Sequence, residues 1–107
     1  EKSIRKFLEK NADVDAIFFA TNYLALQGLK VLQELKWSIP GRVGVLSFDD
    51  HDIFKLYTPS ITAINHPLTE IARRSVEMLS CQINENGGEE KSQSVFLDAE
   101  LISRNSL

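Results

Sequence analysis

The rhythm of apolar and polar positions along this chain changes several times, and each change marks a predicted element. Residues 3 to 10 place Ile4, Phe7 and Leu8 at helical spacing, and "NADVD" closes that helix. "AIFFA", residues 16 to 20, is a short unbroken apolar run, the pattern of a strand covered on both faces as in parallel sheets. Asn22 is placed to cap a helix reading "YLALQGLKVLQELK" as far as Lys36. Trp37-Ser38-Ile39-Pro40-Gly41 punctuates a turn. Residues 43 to 48 make a second strand, ended by Asp49, Asp50, His51 and Asp52. "HDIFKLYTPSIT" reads as a loop with room for one helical turn, stopped by Pro59, and "ITAIN" as a third strand.

Pro67 suits the start of a helix from Leu68 to Asn84, with Ile71, Ala72, Ser75, Val76, Leu79 and Ile83 on one stripe. "NENGGEEKS" is a polar linker, and "SVFLDAELI" closes the series as a fourth, partly alternating strand. This order predicts an α/β fold with a layered, mostly parallel sheet.

The helix after Asn22 carries more apolar surface than one sheet face requires. Leu24, Gly28, Val31 and Leu35 form one stripe, and Leu32, Ala25, Leu29 and Leu26 carry it around more than half the cylinder. An arc of roughly 100° suffices for a helix lying on a sheet. The excess predicts a second covering surface, either another element or another subunit. Scattered surface leucines are the plainer alternative.

Composition narrows the class. A chain of 107 residues, 43% hydrophobic and 25% charged, is ordinary globular material of one domain or part of a larger one. No apolar run approaches the roughly 20 residues of a membrane span. The opening "EKSIRKFLEK" is charged and helix-forming, without an initiator Met or a leader-like apolar core, and reads as a mature or truncated chain. The single Cys81 excludes an internal disulfide and a multi-cysteine metal site, and suits a reducing compartment. A net charge of −3 supplies no basic surplus for phosphates, so any DNA contact of the whole protein falls to residues outside this chain.

The acids after the second strand admit three chemistries. A hard metal would need several converging oxygens, but neighbouring residues leaving a strand point to opposite sides, and no phosphate-cradling or calcium-loop pattern accompanies them. No nucleophile signature is present for catalysis. For Asp50 and Asp52 the expectation is a solvated acidic loop. Asp49 stands apart, because ligands of open α/β sheets bind beyond the carboxyl ends of the strands, where Asn22 also falls. A carboxylate accepts hydrogen bonds and an amide both donates and accepts, a pairing suited to the hydroxyls of a sugar or nucleoside. Asn22 is equally readable as a plain helix cap.

"DAIFFATNYLALQGLKVLQELKWSIPGRVGVLSFDD", "LYTPSITAINHP", "EIARRSVEML" and "VFLDAELISRNS", in that order, resemble the C-terminal third of the lactose-repressor/galactose-repressor family of bacterial transcription regulators. The resemblance implies a fragment of a periplasmic-binding-protein-like (type I) effector domain. Residues 1–66 would belong to the C-terminal subdomain, 67–91 to the crossover helix and linker of the N-terminal one, and 92–107 to a returning strand. The family's DNA-binding headpiece is absent from this sequence.

Asn22 falls on the asparagine of the family's "ANDxxA" and Asp49 on the first aspartate of its "GFDD", both effector-contacting positions. His66 falls where many members carry a glutamine near the cleft, although capping the helix at Pro67 explains it as well. The 24–35 helix, with Leu26 and Leu29, and Tyr57 in "KLYTP" match the region through which members dimerise. Tyr23 departs from a usual aspartate and Ser47 from a usual glycine, which puts the effector's identity in question.

The resemblance thus implies a cytoplasmic, non-enzymatic sensor. It would have a small-molecule effector, operator DNA reached through the headpiece, a homodimer or higher assembly, no cofactor, no metal and no membrane. The runner-up is a periplasmic or lipid-anchored sugar-binding protein of the same fold. A magnesium-dependent hydrolase or phosphotransfer enzyme using Asp49 and Asp50 is the third possibility.

Overall fold

The computed structural model describes residues 1–84 and 94–107. All of the predicted polar linker except Asn84 lies outside the described residues. Helix α1 (Lys2–Lys10) leads into strand β1 (Ala16–Phe19), helix α2 (Asn22–Glu34) and strand β2 (Gly44–Phe48). The short helix α3 (Asp52–Leu56), strand β3 (Thr62–Asn65), helix α4 (Leu68–Asn84) and strand β4 (Glu100–Ile102) follow. The sheet order is β1-β2-β3-β4; the first three strands run parallel and β4 pairs antiparallel to β3. The mostly parallel α/β sheet expected from the pattern is the fold of this chain.

Two compact units result, one made of Glu1–Asn65 with Glu100–Leu107, the other of His66–Ala99. In the first, register puts Ile17 beside Val45 and Phe19 beside Ser47, and Ser47 beside Ala63, on one face of the sheet. Helix α2 lies on that face. Gly28 marks a close approach, since a Cβ there would collide with the buried ring of Phe19. Leu29, Val31, Leu32, Val43, Val45, Phe54 and Ile61 complete a core that also holds Leu8 of α1.

Helix α1 packs against α2 and ties to it through Glu1–Lys30 and Arg5–Glu34 ion pairs. The broad apolar arc of α2 therefore finds a second cover inside the chain. Leu29 is 2% exposed, its side chain spent on this core. That corrects its expected place on a subunit interface, because a residue sealed within one chain has no surface left for another. Leu26 and Tyr57 sit half-buried at the edge of the same cluster.

Two other boundaries differ from the pattern. The fourth strand is only three residues long, Glu100–Ile102, although apolar residues begin at Val95. Phe96 is almost fully exposed and lies before the paired residues. The polar tail "SRNS" is also more than a terminus. The buried Ser106 hydroxyl accepts from the Thr62 N–H at 2.8 Å and donates to the Val45 carbonyl at 2.6 Å. The Val45 N–H in turn donates to the Ser106 carbonyl at 2.7 Å. The tail thereby satisfies buried polar groups where the β2–β3 ladder has not yet begun.

Candidate functional site

Parallel strands joined by crossover connections deliver all their carboxyl ends to one side of a sheet. Phe19 pairs with Ser47, so Asn22, three residues beyond the one, and Asp49, two beyond the other, leave neighbouring strand ends on the same side. Asn22 opens α2 but does not cap it. Thr21 is the cap, in extended conformation (φ −152°, ψ 155°), with Oγ1 accepting from the Leu24 N–H at 3.2 Å. The expectation of Asn22 as N-cap is corrected by one position. Its half-buried amide makes no hydrogen bond among the described residues and keeps its donors and acceptor for another partner.

Asp49 holds a left-handed backbone, φ 67°, a region that L-residues rarely enter and that Asp and Asn tolerate best. Sequence reasoning placed Asp49 at the tip but had no signal for this conformation. Beyond it the acids diverge. Asp50 accepts from Arg104 Nη1 at 2.8 Å and Nη2 at 2.6 Å and from the His51 N–H at 2.9 Å. With Asp50 10% and Arg104 11% exposed, this is a largely buried bidentate pair, which corrects the expected solvated loop. The Arg104 guanidinium holds the Asp50 carboxyl below the ordinary carboxylate range and is itself held more firmly protonated.

Asp52 is 90% exposed and pairs with Lys55 at 2.8 Å. That partner lowers its pKa, chiefly through the hydrogen bond. His51 caps α3 through Nδ1, which accepts from the Ile53 N–H at 3.2 Å. Among the described residues no group of three or more His, Cys, Asp or Glu side chains is placed to hold a metal ion.

A shallow polar depression of about 380 Å³ lies at the same strand ends, lined by Asp50, His51, Asp52, Lys55, Asn65 and Ile102. Neither Asn22 nor Asp49 lines it. His66, the third expected contact, opens the second unit; its carbonyl accepts from the Leu68 N–H at 2.8 Å as α4 begins. No helix among the described residues is long and apolar enough to cross a membrane.

Fold and strand-end geometry define a class: mostly parallel α/β domains that present polar side chains beyond the carboxyl ends of their strands. Within that class, the chain belongs to the periplasmic binding protein-like domain family, whose model matches residues 2–107, in the lactose-repressor/galactose-repressor group of transcription regulators. It is 33% identical over 105 residues to the HTH-type transcriptional regulator MalR of Clostridium butyricum, covering 98% of this chain and 30% of that protein. A solved chain from Sanguibacter keddieii, assigned to the LacI family of transcriptional regulators, superposes with a TM-score of 0.87 at 30% identity, covering 98% of this chain and 40% of its own. The transcriptional regulator CelR in complex with cellobiose superposes at 0.86 with 28% identity, covering 96% of this chain and 31% of that one. This chain thus spans less than half the length of each.

Proposed function

We propose that this chain is the effector-sensing and dimerisation portion of a sugar-responsive bacterial transcription regulator. The observation that carries the reading is the shared strand-end position of Asn22 and Asp49, fixed by the Phe19–Ser47 register. An amide and a carboxylate on adjacent tips grip neighbouring hydroxyls of a sugar or nucleoside. His66 is a further candidate contact by resemblance to the family. The similarity to a regulator solved with cellobiose supports a sugar over other polar ligands.

In this reading residues 1–66 belong to the C-terminal effector subdomain, 67–91 to the crossover helix and linker of the N-terminal one, and 92–107 to the return. Effector binding biases two subdomain arrangements that a DNA-binding headpiece outside this chain reads on the operator. A coupling on the order of 1–3 kcal/mol is typical of such linkage. The protein acts in the cytoplasm as a homodimer, with Leu26 and Tyr57 at the interface, and performs no bond-making step. Relatives that are transcription regulators favour this over a periplasmic sugar-binding protein.

The test is Asp49→Ala in the full-length protein, read by operator binding in fluorescence anisotropy against a panel of mono- and disaccharides that includes cellobiose. The variant should bind operator within about twofold of wild type and lose the sugar response. A wild-type sugar response in the variant refutes the role.

A further inference from the structure

We propose that Arg104 is a positioning residue for the Asp49 acceptor, acting through Asp50. The inference rests on the reading of Asp49 above and deepens it, by assigning the shape of the ligand-facing tip to a residue 54 positions from Asp50 in sequence. Strand β2 ends at Phe48, and α3 begins at Asp52, so the chain must turn within three residues. It does so by placing Asp49 at φ 67°. A side-chain-bearing residue stays in that sparsely populated region only where its surroundings dictate it.

Those surroundings are specific. Behind Asp49, the buried Ser47 hydroxyl donates to the Phe48 carbonyl at 2.9 Å, with the Asp49 carbonyl at 3.5 Å. Ahead of it, Asp50 is turned inward and held by both guanidinium nitrogens of Arg104. Arg104 is itself immobilised. Its Nη1 also donates to the Ile61 carbonyl at 2.5 Å, its own N–H donates to Thr62 Oγ1 at 3.0 Å, and the next two residues are laced to Ser60 and Val45. A fork anchored at the start of β3 therefore fixes where Asp50 points.

Adjacent residues on an extended chain point to opposite sides, and the left-handed turn at Asp49 is how the backbone reconciles an inward Asp50 with the capped start of α3. Without the fork, Asp50 returns to solvent, the left-handed turn loses its cause, and the Asp49 carboxylate changes direction. Arg104 also lies two residues beyond Ile102, the end of the strand by which the chain re-enters the first unit. The clamp thus joins the tip to that returning segment.

The experiment uses the full-length protein carrying Arg104→Lys, which keeps the charge and loses the planar fork. Hydrogen–deuterium exchange of the peptide spanning residues 48–53 is compared with peptides from β1 and α2, and a crystal structure reads the Asp49 dihedral. The expected result is exchange at least tenfold faster at the tip alone, with Asp49 out of the left-handed region. An unchanged dihedral with unchanged exchange overturns the proposal, and so does a uniform rise across all peptides, which would mark a merely structural pair. Should Arg104→Lys fail to fold, Asp50→Asn, of the same size, is read the same way. Failure of the functional reading looks different: a loosened tip in Arg104→Lys beside an Asp49→Ala protein that still answers sugar.

Discussion

The two units of this chain carry similar apolar patterns with different cover among the described residues. In the first, Leu32, Val45, Phe54 and Ile61 are sealed away from solvent by α1, α2, α3 and the sheet. In the second, α4 repeats a clean helical stripe, yet Leu68, Val76, Leu79 and Ile83 remain 57–69% exposed. An amphipathic period predicts that a helix forms and which side of it is apolar; it says nothing about what lies against that side. Part of that face has company within the unit, where Ile71, Ser75 and Met78 line a depression with Val95 and Leu97. Helix α4 also carries local pairs, Glu70 with Arg73 and Arg74, and both arginines with Glu77. The hydrogen bond from Arg73 leads in lowering the Glu70 carboxyl to about 2.

Core truncation is the strongest probe of this contrast. Phe54→Ala should cost about 3–5 kcal/mol, because the ring is fully enclosed and its neighbours collapse only in part. The measurement is urea denaturation of this chain. A loss no greater than that of an α4 surface variant would erase the distinction between the units.

Next in size is the Asp50–Arg104 pair. Asp50→Ala leaves a guanidinium largely buried and unpaired, a change that costs about 3 kcal/mol. The pH dependence has a definite sign. Arg104 depresses the Asp50 pKa on folding, so its contribution is complete above the unfolded-state value of about 4 and is lost as pH falls through the lowered one. Thermal melts at pH 7 and pH 3 should therefore show a larger drop for wild type than for Asp50→Asn. Equal drops would place the acid sensitivity elsewhere, and the α4 carboxylates would be the next group to examine.

Thr21→Ala should cost about 1 kcal/mol through loss of the α2 cap, whereas Asn22→Ala should change stability by less than half of that. Denaturation midpoints of the two variants decide which residue holds the helix. The smallest effect belongs to α4: Val76→Ala should stay within about 0.5 kcal/mol in the same urea assay. A loss of several kcal/mol there would mean that the stripe is covered after all.

These contrasts mark how far the pattern could be read. Element order, the parallel sheet and the common side of Asn22 and Asp49 were legible, because crossover topology follows from alternating strands and helices. The cap shifted by one residue because Thr21 and Asn22 are both good caps in composition, and only the extended backbone of Thr21 separates them. Leu29 looked like interface material because periodicity gives an arc and not its cover, and α1 took up part of that arc. The fourth strand shrank because Val95 and Phe96 are apolar but have no partner strand among the described residues.

The pairing of Asp50 with Arg104 had no sequence signal at all, since a lone arginine in a polar tail is locally indistinguishable from a solvated one. Local chemistry, acting over a few residues, by itself determined which segments are helices and strands and which polar groups stand at their ends. Contacts between residues far apart in the chain decided the rest: which leucine is sealed and which aspartate is clamped. Burial and ion pairing are properties of the assembled neighbourhood, and no stretch of residues carries that information alone.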